Sequence, residues 1–555
     1  MIFFNKKKEF EAIIGIDFGS TFSGYSIILD SPNDLEIPEH NKIISTELVM
    51  FKPTQVGLII GEKAKEFVKY NELKPHNLFF SLFKRNLNPE NKCYDKIEAS
   101  SPLKEEIDLI KVITEYLILI KKKIFENNSI ISNKREKIKW IITVPALWDL
   151  NGKELMEKAA KNADMFNCEI ILEPEAASLV IFQAENINKN LLINGKTFLI
   201  VDIGGYTSDF SANKILSNNE LEQLIVPLSL VHGSTQINQK ILNIVKEVIG
   251  ESKLNGVKET KYEDYFKFLE DIEKKKKEIN NILSENIKID ISTLGNPCSG
   301  YFRNQCKGNY QGRKIVYDNK YIEIPKDIAF KIVNDLSNDI IKDINFVLTR
   351  MSSNPDSLIF TGGFSSNQIF REKINSYFDG AHSEVIFLNE PQETVMRGAA
   401  LFGLRPTQIK KRIIPISIAI ESYSKKFFKE KCSKETKEEN VINEGIEYIT
   451  FFQKEKSAYC DKIIMHTIYP TNPYKIIIYY SNKENIDNSN KRELDYFNIE
   501  DNDIPLCNKT IIVSMKFSNY INVTVTEESI NHEIHRTNKL ISYPTNIKQL
   551  EWNFI

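Results

Sequence analysis

Phe198-Leu-Ile-Val-Asp-Ile-Gly-Gly-Tyr-Thr-Ser-Asp209 is an apolar strand that reaches a carboxylate, Asp202, and turns through two glycines into hydroxyl side chains. Glycine lets backbone N–H groups approach an anion with no Cβ in the way, and Ser and Thr add hydroxyl donors. A carboxylate at such a strand end can hold a hydrated Mg²⁺ that neutralises phosphates. The design recurs. Ile13-Ile14-Gly15-Ile16-Asp17 runs into Phe18-Gly19-Ser20-Thr21, and the strand at 358–361 runs into Gly362-Gly363-Phe364-Ser365-Ser366. One such turn is ordinary strand-end punctuation. Two built around Asp17 and Asp202, with a glycine pair about 160 residues further on, predict phosphates held between two similar lobes. The pattern is neither a Walker A loop nor a GxGxxG fingerprint.

Around these turns, residues 12–405 alternate strand and helix signals. Residues 104–124 carry apolar positions at helical spacing, 139–144 read as a buried strand before Pro145, 152–166 as a helix and 169–172 as a strand. Alternation of this kind predicts sheets covered by helices. After about residue 413 the period becomes two. Ile511, Val513, Met515 and Phe517 share one face, as do Ile521, Val523 and Val525, predicting a hairpin turning at 518–520. Segments 462–469 and 474–480 read as further strands. The polar, basic stretch 406–412 reads as a linker.

With 555 residues the chain is too long for one hydrophobic core. Lys+Arg 73 against Asp+Glu 75 leaves a net charge of -2, which argues against nucleic-acid binding through a global positive field. No apolar run approaches the roughly 18 residues needed to span a bilayer. The N-terminal MIFFNKKKEF is too short for a signal peptide. Seven dispersed cysteines fit reduced thiols better than a disulfide framework. The expectation is a soluble, cytoplasmic, multi-domain protein, with a nuclear location not excluded, no membrane insertion and no nucleic-acid partner.

Longer motifs carry a resemblance. Ile142-Thr143-Val144-Pro145-Ala146, then Leu172-Glu173-Pro174-Glu175-Ala176-Ala177, together with the three turns and Gly398-Ala399-Ala400-Leu401-Phe402-Gly403, resemble the 70-kDa heat-shock proteins of the actin-like ATPase superfamily. The variants are most similar to the divergent heat shock 70 kDa protein 12 subfamily. The resemblance covers about residues 12–528. It implies a two-lobed α/β actin-like ATPase domain of duplicated ribonuclease-H-like subdomains at 12–405, a linker at 406–412, and a β-sandwich substrate-binding-like domain at 413–528. A short tail, 529–555, lacks the full helical lid.

The resemblance also implies roles, position by position. ATP or ADP and Mg²⁺ are the expected ligands. Asp17 and Asp202 would be the Mg²⁺-side carboxylates, acting through water. Gly19, Ser20, Thr21, Gly204, Gly205 and Thr207 would hold phosphates. Lys84 would reach the γ-phosphate, and Glu173 with Asp209 would orient the attacking water. Glu273, Lys276 and Lys277 would flank adenine, and Gly362, Gly363 and Ser365 would complete the adenosine pocket. Read without the resemblance, Lys84 is a solvated lysine on a basic helix and the lysine run at 274–277 a solvated helix face.

Departures from the family pattern bear on activity. Tyr206 stands where a third glycine is usual, and a side chain there would strain a positive φ or crowd the γ-phosphate. Gln392 replaces an acidic residue near the adenosine pocket, and Gly233-Ser234-Thr235 departs from a glycine-glycine-acidic loop. The linker is basic rather than acidic and leucine-rich, and a charged run, 424–431, occupies a loop where a peptide clamp would sit. The leading expectation is slow ATP hydrolysis that gates polypeptide binding, with co-chaperones or an exchange factor as further partners. The alternatives are a nucleotide-sensing scaffold with little hydrolysis, a small-metabolite kinase and an actin-like filament.

Overall fold

The computed structural model describes residues 10–29, 42–51, 58–70, 77–88, 95–100, 104–128, 137–280, 285–295, 306–433, 446–460, 462–472, 475–499, 509–517, 521–529 and 534–541. Two compact units emerge. The first comprises residues 1–192, 196–212 and 227–406, and the second 193–195, 213–226 and 407–555.

The first unit repeats one arrangement. Strand β1 (Ala12–Asp17) lies between β2 (Phe22–Leu29), antiparallel, and β4 (Ile138–Val144), parallel. With β3 (Lys42–Ser45) and β5 (Cys168–Leu172) the order is β5-β4-β1-β2-β3. In the second lobe, β6 (Thr197–Ile203) neighbours β7 (Ser208–Ile215) and runs parallel to β9 (Ser357–Thr361). Outside them, β10 (Glu384–Phe387) joins β9 and β8 (Leu228–Leu230) pairs with β7. Each central strand is buried along its length, which is why both read as unbroken apolar runs. Asp17 and Asp202 therefore stand at equivalent places, where a central strand enters its turn.

Helices of this unit include α1 (Glu173–Val180), α2 (Thr235–Ile249), α3 (Tyr262–Glu278), α4 (Lys326–Leu348) and α5 (Thr394–Leu404). Small residues let α5 lie unusually close to its neighbours. A Cβ on Gly15 of β1 would stand 2.4 Å from the Ala400 nitrogen, and one on Gly398 only 1.8 Å from the Ala176 carbonyl oxygen of α1.

The second unit holds two four-stranded antiparallel sheets. One runs Ile446–Phe452, Ser417–Tyr423, Lys475–Ser481, Arg492–Asn498; the other runs Ile463–Ile468, Lys509–Phe517, Ile521–Ser529, Ile534–Ile541. Ile418, Ile420, Ile476 and Ile478 from the first join Val513, Met515, Phe517, Val523 and Val525 from the second in one apolar cluster. The hairpin has the expected faces, with Val513 opposite Val525 and Met515 opposite Val523; its turn, 518–520, lies outside the described residues.

Three segments differ from the sequence reading. Ile409–Ile413, which begins inside the expected linker 406–412, is a strand parallel to Leu221–Gln223, and Lys411 pairs with Glu222 at 3.0 Å. Lys411 thus has its acidic partner 189 positions earlier, a separation no local pattern shows. Ile534–Ile541, expected as tail, completes a sheet against Ile521–Ser529. In the charged run, Lys425–Ser433 is a helix that stacks Phe427 on Tyr423 and Phe428 on Tyr469. Cys306 is disulfide-bonded, so the expectation of reduced thiols does not hold at that position. Among the described residues no helix is long and apolar enough to cross a membrane.

Candidate functional site

The turns after β1 and β6 face one another across a cavity of about 540 Å³. Their glycines are demanded by space. A Cβ on Gly205 would stand 2.8 Å from Thr21 Oγ1, on the opposite turn. Gly362, at φ +81°, folds the third turn against β6 so closely that a Cβ would stand 2.4 Å from Asp202 Oδ1. Gly233 packs its backbone on Gly205 and Tyr206, with a Cβ 2.6 Å from both.

Lys84 is buried, only 3% exposed, and donates to Glu173 Oε1 at 2.5 Å. The solvated-lysine reading is therefore excluded. Its backbone sits in a 3-10 turn, Phe83–Leu87, entered through Leu82 at φ +55°, a left-handed conformation that costs a bulky residue about 1–3 kcal/mol. The Phe18 and Trp148 rings flank the ammonium, 5.8 and 5.7 Å away. Around it converge Asp17, Glu173, Asp202 and Asp209. Burial raises all four carboxyls above their usual range, and repulsion from neighbouring carboxylates adds to it for Asp17, Glu173 and Asp202. For Glu173 burial outweighs the lowering by Lys84, and the pKa is pushed up to about 8. Thr143 Oγ1 donates to Asp17 Oδ1 at 3.3 Å.

Such a cluster favours a cation. Among the described residues no group of three or more His, Cys, Asp or Glu side chains converges to enclose a metal ion. Two aspartates on opposite turns, Asp202 buried and Asp17 half-buried, with glycine backbone between them, fit a cation held through water and phosphate instead.

At the far end α3 supplies Glu273, Lys276 and Lys277 to the wall. Lys276 pairs with Glu273 at 2.7 Å, and Asn238 donates to the same oxygen at 2.7 Å. Burial alone would raise the Glu273 carboxyl, but Lys276, Asn238 and Lys277 together lower it. Lys277 stands 5.2 Å over the Phe22 ring, so part of the lysine run faces the cavity and not solvent alone.

Of the residues expected at the site, all line this cavity except Asp209 and Ser365. Asp209 is 1% exposed and lies behind the wall, accepting from Ser229 Oγ and from Ala146 N. It braces the β4 turn through the Ala146 N–H. Ser365 is fully buried and donates to the Gly362 carbonyl at 2.8 Å. The 3-10 turn Gly363–Ser366 directs Ser365 inward and leaves Phe364 and Ser366 on the wall. Phe22, Ile237, Asn280 and Val395 also line it and were not foreseen. Phe22, directly after Thr21, had the plainest signal; the others come from elements whose placement no local motif shows.

Tyr206 does not strain the backbone, because its φ lies outside the left-handed region. Its ring turns to Arg85, whose guanidinium lies 4.5 Å over it, while the residue still borders the cavity.

No family model matches the chain. Individual proteins do. The chain is similar to human heat shock 70 kDa protein 12A, 19% identical over 87% of this chain and 83% of that one. It is 18% identical to human heat shock 70 kDa protein 12B over 75% of this chain and 72% of that one. The chaperone protein HscA of Buchnera aphidicola is 23% identical over 75% of this chain and 76% of its own length. The class these relatives define is a chaperone-like, ATP-binding protein of actin-like fold, and the mixed α/β architecture agrees with it. These relatives are members of the 70-kDa heat-shock protein family. Members of that family bind ATP and ADP with Mg²⁺.

Proposed function

We propose that the first unit binds MgATP between its two turns and hydrolyses it slowly, and that the nucleotide state governs contact with an unfolded or partner polypeptide through the second unit. One observation carries the catalytic part: the buried Lys84–Glu173 pair, 2.5 Å apart, on the wall of a cavity edged by both phosphate turns. Lys84 would offset charge on the terminal phosphate, and Ser20, Thr21 and Thr207 would donate to its oxygens. Glu173, once ionised, would accept a hydrogen bond from the attacking water and hold it in line. Mg²⁺, bound through water by Asp17 and Asp202, would neutralise phosphate charge. The two antiparallel sheets favour this reading, since an extended peptide can add to a sheet edge through backbone hydrogen bonds.

Calorimetry with MgATP, followed by single-turnover cleavage of radiolabelled ATP, tests the reading. Binding with cleavage that disappears in Glu173→Ala supports it. Binding without product supports the second reading, a nucleotide-sensing scaffold, which Tyr206 at the phosphate end favours. Absence of binding refutes both.

A further inference from the structure

The phosphate end of the cavity is closed by contacts that phosphate binding itself does not require. Arg85 follows Lys84 in the 3-10 turn Phe83–Leu87, in the lobe of β1. Its guanidinium stacks 4.5 Å over the Tyr206 ring, and its Nη2 donates to Thr235 Oγ1 at 2.9 Å. Asn88, three residues on, reaches Tyr206 Oη at 3.5 Å, a long and weak bond. Tyr206 and Thr235 both belong to the opposite lobe, and they are joined there: the Thr235 N–H donates to the Gly205 carbonyl at 2.8 Å. One segment of the first lobe thus grips two elements of the second. Tyr206 lines both the main cavity and a small chamber behind it, whereas Arg85 lines only the chamber. Arg85 therefore backs Tyr206 and is not aimed at the nucleotide.

We propose that Arg85 and Tyr206 are positioning residues that hold the two phosphate turns together, and that their stack sets how long a nucleotide stays bound. The proposal rests on the nucleotide reading above. A triphosphate between the turns leaves only when they part, and parting them breaks the stack and the Arg85–Thr235 bond together. A half-buried cation on an aromatic face, with a hydrogen bond from a charged donor, accounts for roughly a 10- to 100-fold change in a rate. Glycine at this position would offer Arg85 no ring. The tyrosine that departs from the family pattern thereby acquires a role without straining the backbone.

The test is release of a fluorescent ADP analogue from the full chain with Mg²⁺, chased by excess ATP, beside the unfolding midpoint of the ligand-free protein. Tyr206→Leu and Arg85→Ala should each release nucleotide about tenfold faster or more. Tyr206→Phe keeps the ring and should stay within about threefold of the parent. The Tyr206→Leu/Arg85→Ala double variant should be no faster than the faster single, because both remove one contact. A purely structural role would lower the midpoint in step with release and would not be rescued by phenylalanine. Release at the parent rate in Tyr206→Leu, or failure of Tyr206→Phe to rescue, overturns the proposal and leaves the nucleotide reading standing. If the parent chain binds no analogue, both fall.

Discussion

Gly398→Ala should damage the protein in two measurable ways, although alanine is the better helix former. In an ordinary helix interior the change would gain about 1 kcal/mol. Here the new Cβ would lie 1.8 Å from the Ala176 carbonyl oxygen and 2.4 Å from its carbon. Real Cβ atoms keep at least 3.0 Å, so α5 and α1 must part by 3.0 − 1.8 = 1.2 Å or more. The obstacle is backbone, which cannot rotate away as a side-chain tip would. Overpacking costs about 1–3 kcal/mol, and a backbone clash belongs at the upper end. Net destabilisation of about 2 kcal/mol follows, or roughly 2–3 °C in Tm for a unit of this size.

The larger effect is on chemistry. Helix α1 opens with Glu173, so a shift of α1 carries that carboxylate away from Lys84, now 2.5 Å distant. Misplacement by about 1 Å can cost about 100-fold in rate. Single-turnover cleavage should fall by roughly 10- to 100-fold, with MgATP affinity less affected because the phosphate turns do not touch Gly398. Gly256→Ala is the control. It lies inside the helix Glu251–Thr260, where an added Cβ would meet nothing within 4 Å, and it should stabilise by about 0.5–1 kcal/mol without altering cleavage. A Gly398→Ala protein that melts no lower than the parent and cleaves at the parental rate would refute the close approach of α1 and α5.

Other perturbations separate charge from shape. If ionised Glu173 orients the water, its pKa of about 8 makes the single-turnover rate climb from pH 7 to a plateau above about pH 9, roughly tenfold; a flat profile would count against that role. Because the folded pKa of Glu173 is raised, the stability it contributes is complete below its ordinary value of 4.5 and is lost as pH rises through about 8. Lys84→Ala raises that pKa further, so the unfolding free energy from urea melts should fall by about 1.4 kcal/mol more at pH 9 than at about pH 6. Equal losses at both pH values would exclude this account. Gly205→Ala would press a Cβ to 2.8 Å from Thr21 Oγ1 and 3.1 Å from its Cγ2, on a β-branched side chain that cannot swing clear, so stability should fall by about 1–3 kcal/mol. The wedge between the phosphate turns should also weaken MgATP binding tenfold or more in calorimetry, and unchanged affinity would mean the turns do not close on phosphate.

What was legible in the sequence divides by the distance over which each feature is determined. The phosphate turns could be read because strand, carboxylate and glycine lie within eight or nine residues, and the hairpin 509–529 because period and partner are both local. The nucleoside end was half legible. Helix α3 showed its charges, but the phase of a four-residue 3-10 turn decided that Ser366 and not Ser365 reaches the wall. Tyr206 was misjudged for the same reason. Its strain was expected from the glycine it replaces, whereas its conformation is set with Arg85, 121 positions earlier in the chain (206 − 85). The segment 409–413 looked like a linker because its acidic partners are as remote. These non-local pairings matter most where the chain departs from its relatives' pattern. A substitution that looks like damage in one dimension can be a contact in three, and only the second view says which residue to change to find out.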